Sequence, residues 1–189
     1  MTGSRSLYLA LIHHPVYNKK GEVIASAVSN LDLHDISRAA KTYGAKAFYV
    51  LTPLADQRQL VRRIVSHWIE GVGARYNPDR GAALKLVRVE ASVDAAVDEI
   101  SSEGQGGPIT VVTDARPHPE NVSYRGLSGM LKSDRPLLLM FGTAWGLTRE
   151  FIETADYVVA PIMGPTGYNH LSVRSAAAIV LDRLLGQRD

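Results

Sequence analysis

Short apolar runs separated by helical stretches narrow the folds open to this chain more than any other feature. Runs at 7–13 (LYLALIH), 46–51 (KAFYVL), 84–89, 109–113 (ITVVT), 137–141 (LLLMF) and 157–160 have strand length. Several carry no polar alternation, as expected of strands covered on both faces. Between them the apolar spacing turns helical. Leu33, Ile36, Ala40 and Tyr43 recur at three and four residues over 32–43, with Gly44 at a C-cap position. A second helix carries Leu60, Ile64 and Trp68 on one stripe. A third is expected over 92–102 with Ser92 as N-cap, and a last one over 171–185 with Ala176, Ile179, Val180 and Leu184 on its apolar side. Residues 14–30 read as a polar connection, and the Gly-rich 71–83 as a mobile loop. Strand and helix alternate throughout, which predicts an α/β fold with a mostly parallel sheet and helices on both faces. With no repeat, linker or low-complexity tract, 1–189 reads as one domain.

Composition removes several classes of chemistry. There is no cysteine, so no disulfide framework, thiol nucleophile or cysteine-held metal is available. The six histidines include His13-His14 but show no ligand spacing, so no metal site is expected. No stretch approaches the roughly 20 apolar residues of a membrane span, and residues 7–12 are too short for a secretory core; a soluble, cytoplasmic protein is expected. The formal charge is +2, from 21 Lys+Arg against 19 Asp+Glu, so nucleic-acid affinity must come from local clusters. Those clusters are Lys19-Lys20, Arg58/Arg62/Arg63, Arg75/Arg80 and Arg125/Lys132/Arg135.

In open parallel sheets ligands sit beyond the C-terminal ends of the strands. Three loops there are candidates: Thr113-Asp114-Ala115, the glycine-bounded 142–146, and 161–169, which leads into the last helix. Glycines in them let backbone amides approach a ligand closely, and prolines restrict the loop. Neither G-x-G-x-x-G, nor G-x-x-x-x-G-K-[ST], nor G-x-S-x-G occurs, so dinucleotide, P-loop and nucleophile-elbow sites are unsupported.

The stretches LLLMFGTAWGL (137–147) and PIMGPTGYNHLSVRSAAAIVLDRL (161–184) resemble the two C-terminal motifs of SPOUT methyltransferases. NLDLHDISRAAKTYGAKAFYVL (30–51) is similar to the family's first motif, with Asp32, Arg38 and Gly44 at its spacing. Within 142–146 no carboxylate stands where the family commonly has Glu; Ser172 and Arg174 replace residues favoured by the ribose-methylating branch, and Asp32 replaces an Asn. The resemblance implies a C-terminal deep trefoil knot, a rare exception to the rule against threaded chains. It also implies bound S-adenosylmethionine (SAM), an RNA substrate (tRNA or rRNA) rather than DNA or a membrane, and a homodimer. On that resemblance the cofactor-site residues are Thr113, Asp114, Ala115, Phe141, Gly142, Thr143, Trp145, Gly146, Ile162, Gly164, Asn169, Leu171, Ser172 and Val173. Trp145 reads equally as a cofactor contact or, instead, as core packing or a dimer contact.

Catalytic candidates are Arg38, Asp114 and His170. Arg38 stays protonated, so its role would be to orient a phosphate or stabilise an oxyanion rather than act as base. Asp114 could accept an acidic base proton or meet the SAM amine, or be an Asx-turn residue. His170 has a useful unperturbed pKa of about 6.5, or it and Asn169 cap the last helix. The expected activity is SAM-dependent methylation of an RNA ribose 2′-OH or base nitrogen; the alternative is a non-catalytic SAM- or nucleotide-binding module acting as a sensor or assembly factor.

Overall fold

The computed structural model describes residues 6–187. The elements in order are β1 (Leu7–Ile12), β2 (Val16–Tyr17), β3 (Val23–Ile24), α1 (Asn30–Thr42), β4 (Ala47–Leu51), α2 (Ala55–Ile69), α3 (Val72–Tyr76), α4 (Pro78–Leu84) and β5 (Val87–Glu90). Then come α5 (Val93–Ile100) with a π-helical turn (Ser101–Gln105), β6 (Ile109–Thr113), β7 (Asn121–Val122), α6 (Tyr124–Met130), β8 (Leu137–Gly142), α7 (Arg149–Ile152), β9 (Tyr157–Val159) and α8 (Val173–Leu185). Seven strands form one sheet in the order β5-β4-β1-β8-β6-β9-β7, every pair parallel, while β2 and β3 make a separate antiparallel hairpin inside the expected 14–30 connection.

The central strands explain their own composition. All six residues of β1 and all five of β4 are buried, because helices cover both faces. Side chains alternate between two cores. Leu7, Leu9, Leu11, Phe48, Val50, Leu137, Leu139 and Phe141 face α1, α2, α4, α6 and α8. Tyr8, Ala10, Ile12, Tyr49, Leu51, Leu138 and Met140 face α5 and α7. The parallel sheet brings the C-terminal ends of β6, β8 and β9 to one edge, and the loops that leave them meet there.

Several local expectations change. Residues 71–83 are not a loop; most of them form α3 and the body of α4, packed on α2. A Cβ at Gly73 would lie 2.7 Å from Trp68 Cε3, and one at Gly81 would lie 2.7 Å from the Trp68 carbonyl oxygen. The glycines there permit close packing rather than mobility. Asn77 caps α4 by accepting from the Arg80 backbone N–H at 3.0 Å, with Pro78 at the first helical position. Leu84 therefore ends a helix, and the expected strand at 84–89 becomes Val87–Glu90. On α2 the buried face centres on Val61, with Ile64 and Trp68 partly covered, and Leu60 is 41% exposed. The α5 helix stops at Ile100, with Ser92 Oγ accepting from the Ala95 N–H at 3.2 Å as its cap. The last helix starts at Val173 and buries Ala177, Val180, Leu181 and Leu184, so Ala176 and Ile179 lie off the central stripe. No helix among the described residues is long and apolar enough to cross a membrane.

Candidate cofactor pocket

A cleft of about 670 Å³ opens where the post-β6, post-β8 and post-β9 loops meet the start of α8. Its size falls in the range of small-molecule sites. Thr113, Asp114, Ala115, Phe141, Gly142, Thr143, Trp145, Gly146, Ile162, Asn169, His170, Leu171, Ser172 and Val173 all line it. Two expected residues do not. Gly164 lies outside the lining, just before the bend at 165–167. Arg38 is exposed and borders a second cleft of about 400 Å³ with Lys41, Asn77, Asp79 and Arg80, because it sits six residues along α1 from Asp32 at the cleft mouth, about 9 Å at 1.5 Å per residue.

The 142–146 loop is held rigidly. A Cβ at Gly142 would meet Leu147 Cγ at 2.7 Å, so the chain can fold back onto its own strand only with glycine there. Ala144 and Gly146 have φ of 51° and 97°, and the turn closes through the Gly146 N–H donating to the Thr143 carbonyl at 3.0 Å. Strand β2 pins it further: the Tyr17 N–H donates to the Gly146 carbonyl at 2.9 Å and the Trp145 N–H to the Tyr17 carbonyl at 3.0 Å. Trp145 is 63% exposed at the rim, which removes core packing as its role.

Beneath the loop runs a hydrogen-bond chain with a defined direction. Thr143 Oγ1 donates its one hydroxyl hydrogen to the Ile12 carbonyl at 3.0 Å. Ser26 must then donate to Thr143 Oγ1, at 2.6 Å, and the His13 Nδ1–H must donate to Ser26 Oγ, at 2.9 Å. His13 is fully buried, and its Nε2 has no hydrogen-bond partner. Burial pushes its pKa down to about 4, against a smaller opposing pull from hydrogen bonding to Ser26.

On the opposite wall Asp114, its side chain 8% exposed, accepts from His118 Nε2 at 2.8 Å and from Arg116 Nη2 at 3.1 Å. Its Oδ1 also accepts from the Arg116 backbone N–H at 3.1 Å, an Asx-type turn. Burial by itself would raise this carboxyl, but the bonds from His118 and Arg116 outweigh it and hold Asp114 below the usual carboxylate range. A carboxylate so satisfied is an anchor for donors and a weak proton acceptor. Asn169 Nδ2 donates to the Ala115 carbonyl at 2.7 Å and ties the third loop to the first. His170 stacks edge-on to Tyr168, with ring centres 5.4 Å apart. Neither Asn169 nor His170 caps α8; Ser172 does, its Oγ accepting from the Ser175 N–H at 3.3 Å.

Three residues of the site escape a reading of the sequence. His118, four residues beyond Asp114 across an irregular loop, has no periodic signal. Ser26 lies in a segment that reads as connection. Asp32 is marked only as a motif position, yet it lines the cleft, 12% exposed, with Oδ1 accepting from Arg174 Nη1 at 3.3 Å. Arg174 Nε also lies 3.5 Å from Asp35 Oδ2, joining the start of α8 to α1. Burial raises the Asp32 pKa, Arg174 opposes that and Asp35 adds to it.

The cleft suits an adenosyl donor by its chemistry. Phe141, Leu147, Val159, Ile162 and Val180 give apolar walls for a flat base, while Asp114 places an acidic group for an ammonium. A parallel sheet with such a pocket at the C-terminal edge of its inner strands, built from three tight loops and a helix start, is an α/β fold with a small-molecule site. The chain matches, over residues 6–186, the family described as SAM-dependent RNA methyltransferase, and it belongs to that family. It is 43% identical over 182 residues to a tRNA (guanine-N(1)-)-methyltransferase of Oleidesulfovibrio alaskensis, covering 96% of this chain and 42% of that protein. The chain thus spans less than half the length of that relative. It is 37% identical over 185 residues to an uncharacterized protein of Aquifex aeolicus, covering 97% of this chain and 90% of that one. Among solved structures, the SpoU methyltransferase AviRb from Streptomyces viridochromogenes in complex with AdoMet has the same fold, with TM-score 0.59, 18% identity, and 96% and 57% of the two chains covered.

Proposed function

We propose that this chain, as one knotted domain, binds SAM in the 670 Å³ cleft and transfers its methyl group to RNA, tRNA or rRNA, at a base nitrogen or a ribose 2′-OH. The observation that carries the reading is the convergence of the three post-strand loops and the start of α8 on one pocket with Asp114 in its wall, in a chain of this family. SAM supplies an electrophilic methyl on a sulfonium. The protein's part is to fix that methyl against the acceptor, an effect that can supply about 7–11 kcal/mol of the barrier. In this reading the locked 142–146 loop and the Asn169 tie give the pocket a preset shape, and Asp114 holds a donor group of the ligand. Methylation of guanine N1 in tRNA, the reaction for which the Oleidesulfovibrio relative is named, is one specific form of the chemistry.

The RNA backbone is proposed to run along α1 into the second cleft, where Arg38, Lys41 and Arg80 outnumber Asp79. Other basic side chains have structural duties: Arg58 Nη1 donates to the Thr52 carbonyl at 2.8 Å, and Arg135 Nη2 to the Gly107 carbonyl at 3.2 Å. The exposed rim residues Trp145, Tyr168 and Leu171 favour a second copy of this chain as a neighbour, which sedimentation equilibrium tests.

The test has two arms. Calorimetric titration with SAM and S-adenosylhomocysteine should show saturable binding of both. Labelled SAM should transfer methyl into bulk RNA from a strain lacking this protein. Binding without incorporation favours the non-catalytic module; absence of binding at millimolar SAM ends both readings.

A further inference from the structure

On the reading that the cleft presents SAM to RNA, we propose that Asp32 takes the acceptor's proton, aimed by Arg174, and that the acceptor is therefore a base with an ionisable ring N–H rather than a sugar hydroxyl.

Asp32 is the third residue of α1, at the helix end that faces the cleft, and its side chain is almost covered. Arg174 reaches it from the second residue of α8, 142 positions away in sequence, and is its one hydrogen-bonding side chain among the described residues. That single bond, at 3.3 Å to Oδ1, leaves Oδ2 free of hydrogen bonds in the described structure. The charged groups facing Asp32 are Arg174 from α8 and Asp35 from its own helix; His170 and Asp114 lie on other loops of the same cleft.

The two carboxylates of the cleft differ in how far they are satisfied. Asp114 has both oxygens engaged, by His118 and twice by Arg116, and is held below the ordinary range. Asp32 has one engaged oxygen and is shifted the other way, mainly by burial. A proton acceptor works best when its affinity for the proton approaches that of the acceptor's own N–H, and of the two Asp32 is nearer that condition. No other carboxylate lines the cleft among the described residues, and the 142–146 loop contributes none. Arg38, the alternative from the first motif, cannot take a proton and lies outside the cleft.

The step balances without another reactant. The acceptor nitrogen forms a bond to the methyl carbon as the donor's sulfur–carbon bond breaks, its electron pair remaining on sulfur. The ring N–H proton passes to an Asp32 carboxylate oxygen and is later released to water. A ring imide or amidine N–H, such as guanine N1 or uracil N3, is far more acidic than a ribose hydroxyl, so a carboxylate meets it and not the sugar. Arg174, which touches Asp32, is a positioning residue.

The experiment uses the full chain and bulk tRNA from a strain lacking it, under single turnover at saturating SAM from pH 5 to 9. Calorimetry supplies the SAM affinity, and carboxyl ¹³C NMR supplies the Asp32 titration. Asp32→Asn should lower the rate about 10²-fold or more while SAM affinity changes less than threefold. The acid limb of the wild-type rate profile should coincide with the NMR midpoint of Asp32. Arg174→Met should move both upward together, and Arg174→Lys should largely return them. Mass spectrometry of the digested product should find the methyl on a base.

An Asp32→Asn protein that turns over like wild type overturns the proposal. So does a rate loss recovered by raising SAM, which would make Asp32 a cofactor ligand, and so does a ribose-methylated product. Wild-type protein that binds SAM but labels no RNA removes the underlying function, and the defect then appears in the wild type rather than in the variant.

Discussion

Replacing His13 by Asn keeps a side-chain N–H near the Nδ1 position, so the bond to Ser26 can persist, but it removes a group that resists protonation. In the folded protein the His13 pKa is down to about 4, whereas in the unfolded chain it returns to about 6.5. Between those values the unfolded state binds a proton that the folded state refuses, so stability falls as pH falls through the window and levels off below it. The shift of about 2.5 units, at about 1.36 kcal/mol per unit, spans roughly 3 kcal/mol, of which about 2.5 is lost by pH 4.5. No solvent discount applies, because the ring is fully buried and Nε2 has no partner to share a charge with. Urea unfolding of wild type and His13→Asn at pH 7, 6, 5 and 4.5 measures it. The variant starts less stable at pH 7, and the gap should close by about 2–3 kcal/mol towards pH 4.5. Taking the difference cancels Asp114 and Asp32, which titrate in both proteins. Parallel stability curves, or an imidazole NMR titration near 6.5, would refute the reasoning.

Three further outcomes are expected. Gly73→Ala places a methyl against the Trp68 ring and should cost about 1–3 kcal/mol in urea unfolding, although a mobile loop at 71–83 would predict no loss. Asp114→Asn should weaken SAM binding at least tenfold by calorimetry; it should also remove the part of stability that is present above the unfolded aspartate pKa of about 3.9 and lost as pH falls through the lower folded value. Arg38→Ala with Lys41→Ala should make the slope of log affinity for bulk tRNA against log salt shallower by about 0.7–0.9 for each phosphate no longer neutralised, with SAM affinity unchanged.

The legible parts of this protein were those set by near neighbours in the chain. Burial on both faces writes itself as unbroken apolar runs, so β1, β4 and β8 stood out, and caps such as Ser92 act within one helical turn. The post-strand loops followed from the sheet's parallel direction. Glycine, however, has one letter for two uses: at Gly146 it admits a positive φ, at Gly73 a close approach, and only the presence of Trp68 distinguishes packed helix from mobile loop.

What tertiary structure alone decided are the pairings between distant residues. His13, Ser26 and Thr143 meet under the pocket, and Arg174 reaches Asp32 across 142 positions. The same folding carries Arg38 six residues down α1 from Asp32 and away from the cleft. Periodicity records which face of an element is buried, since that depends on residues three or four apart. It carries no record of which other element covers that face, and a proton-handling group is defined by what covers it: the partner, the distance and the lost water that set its charge.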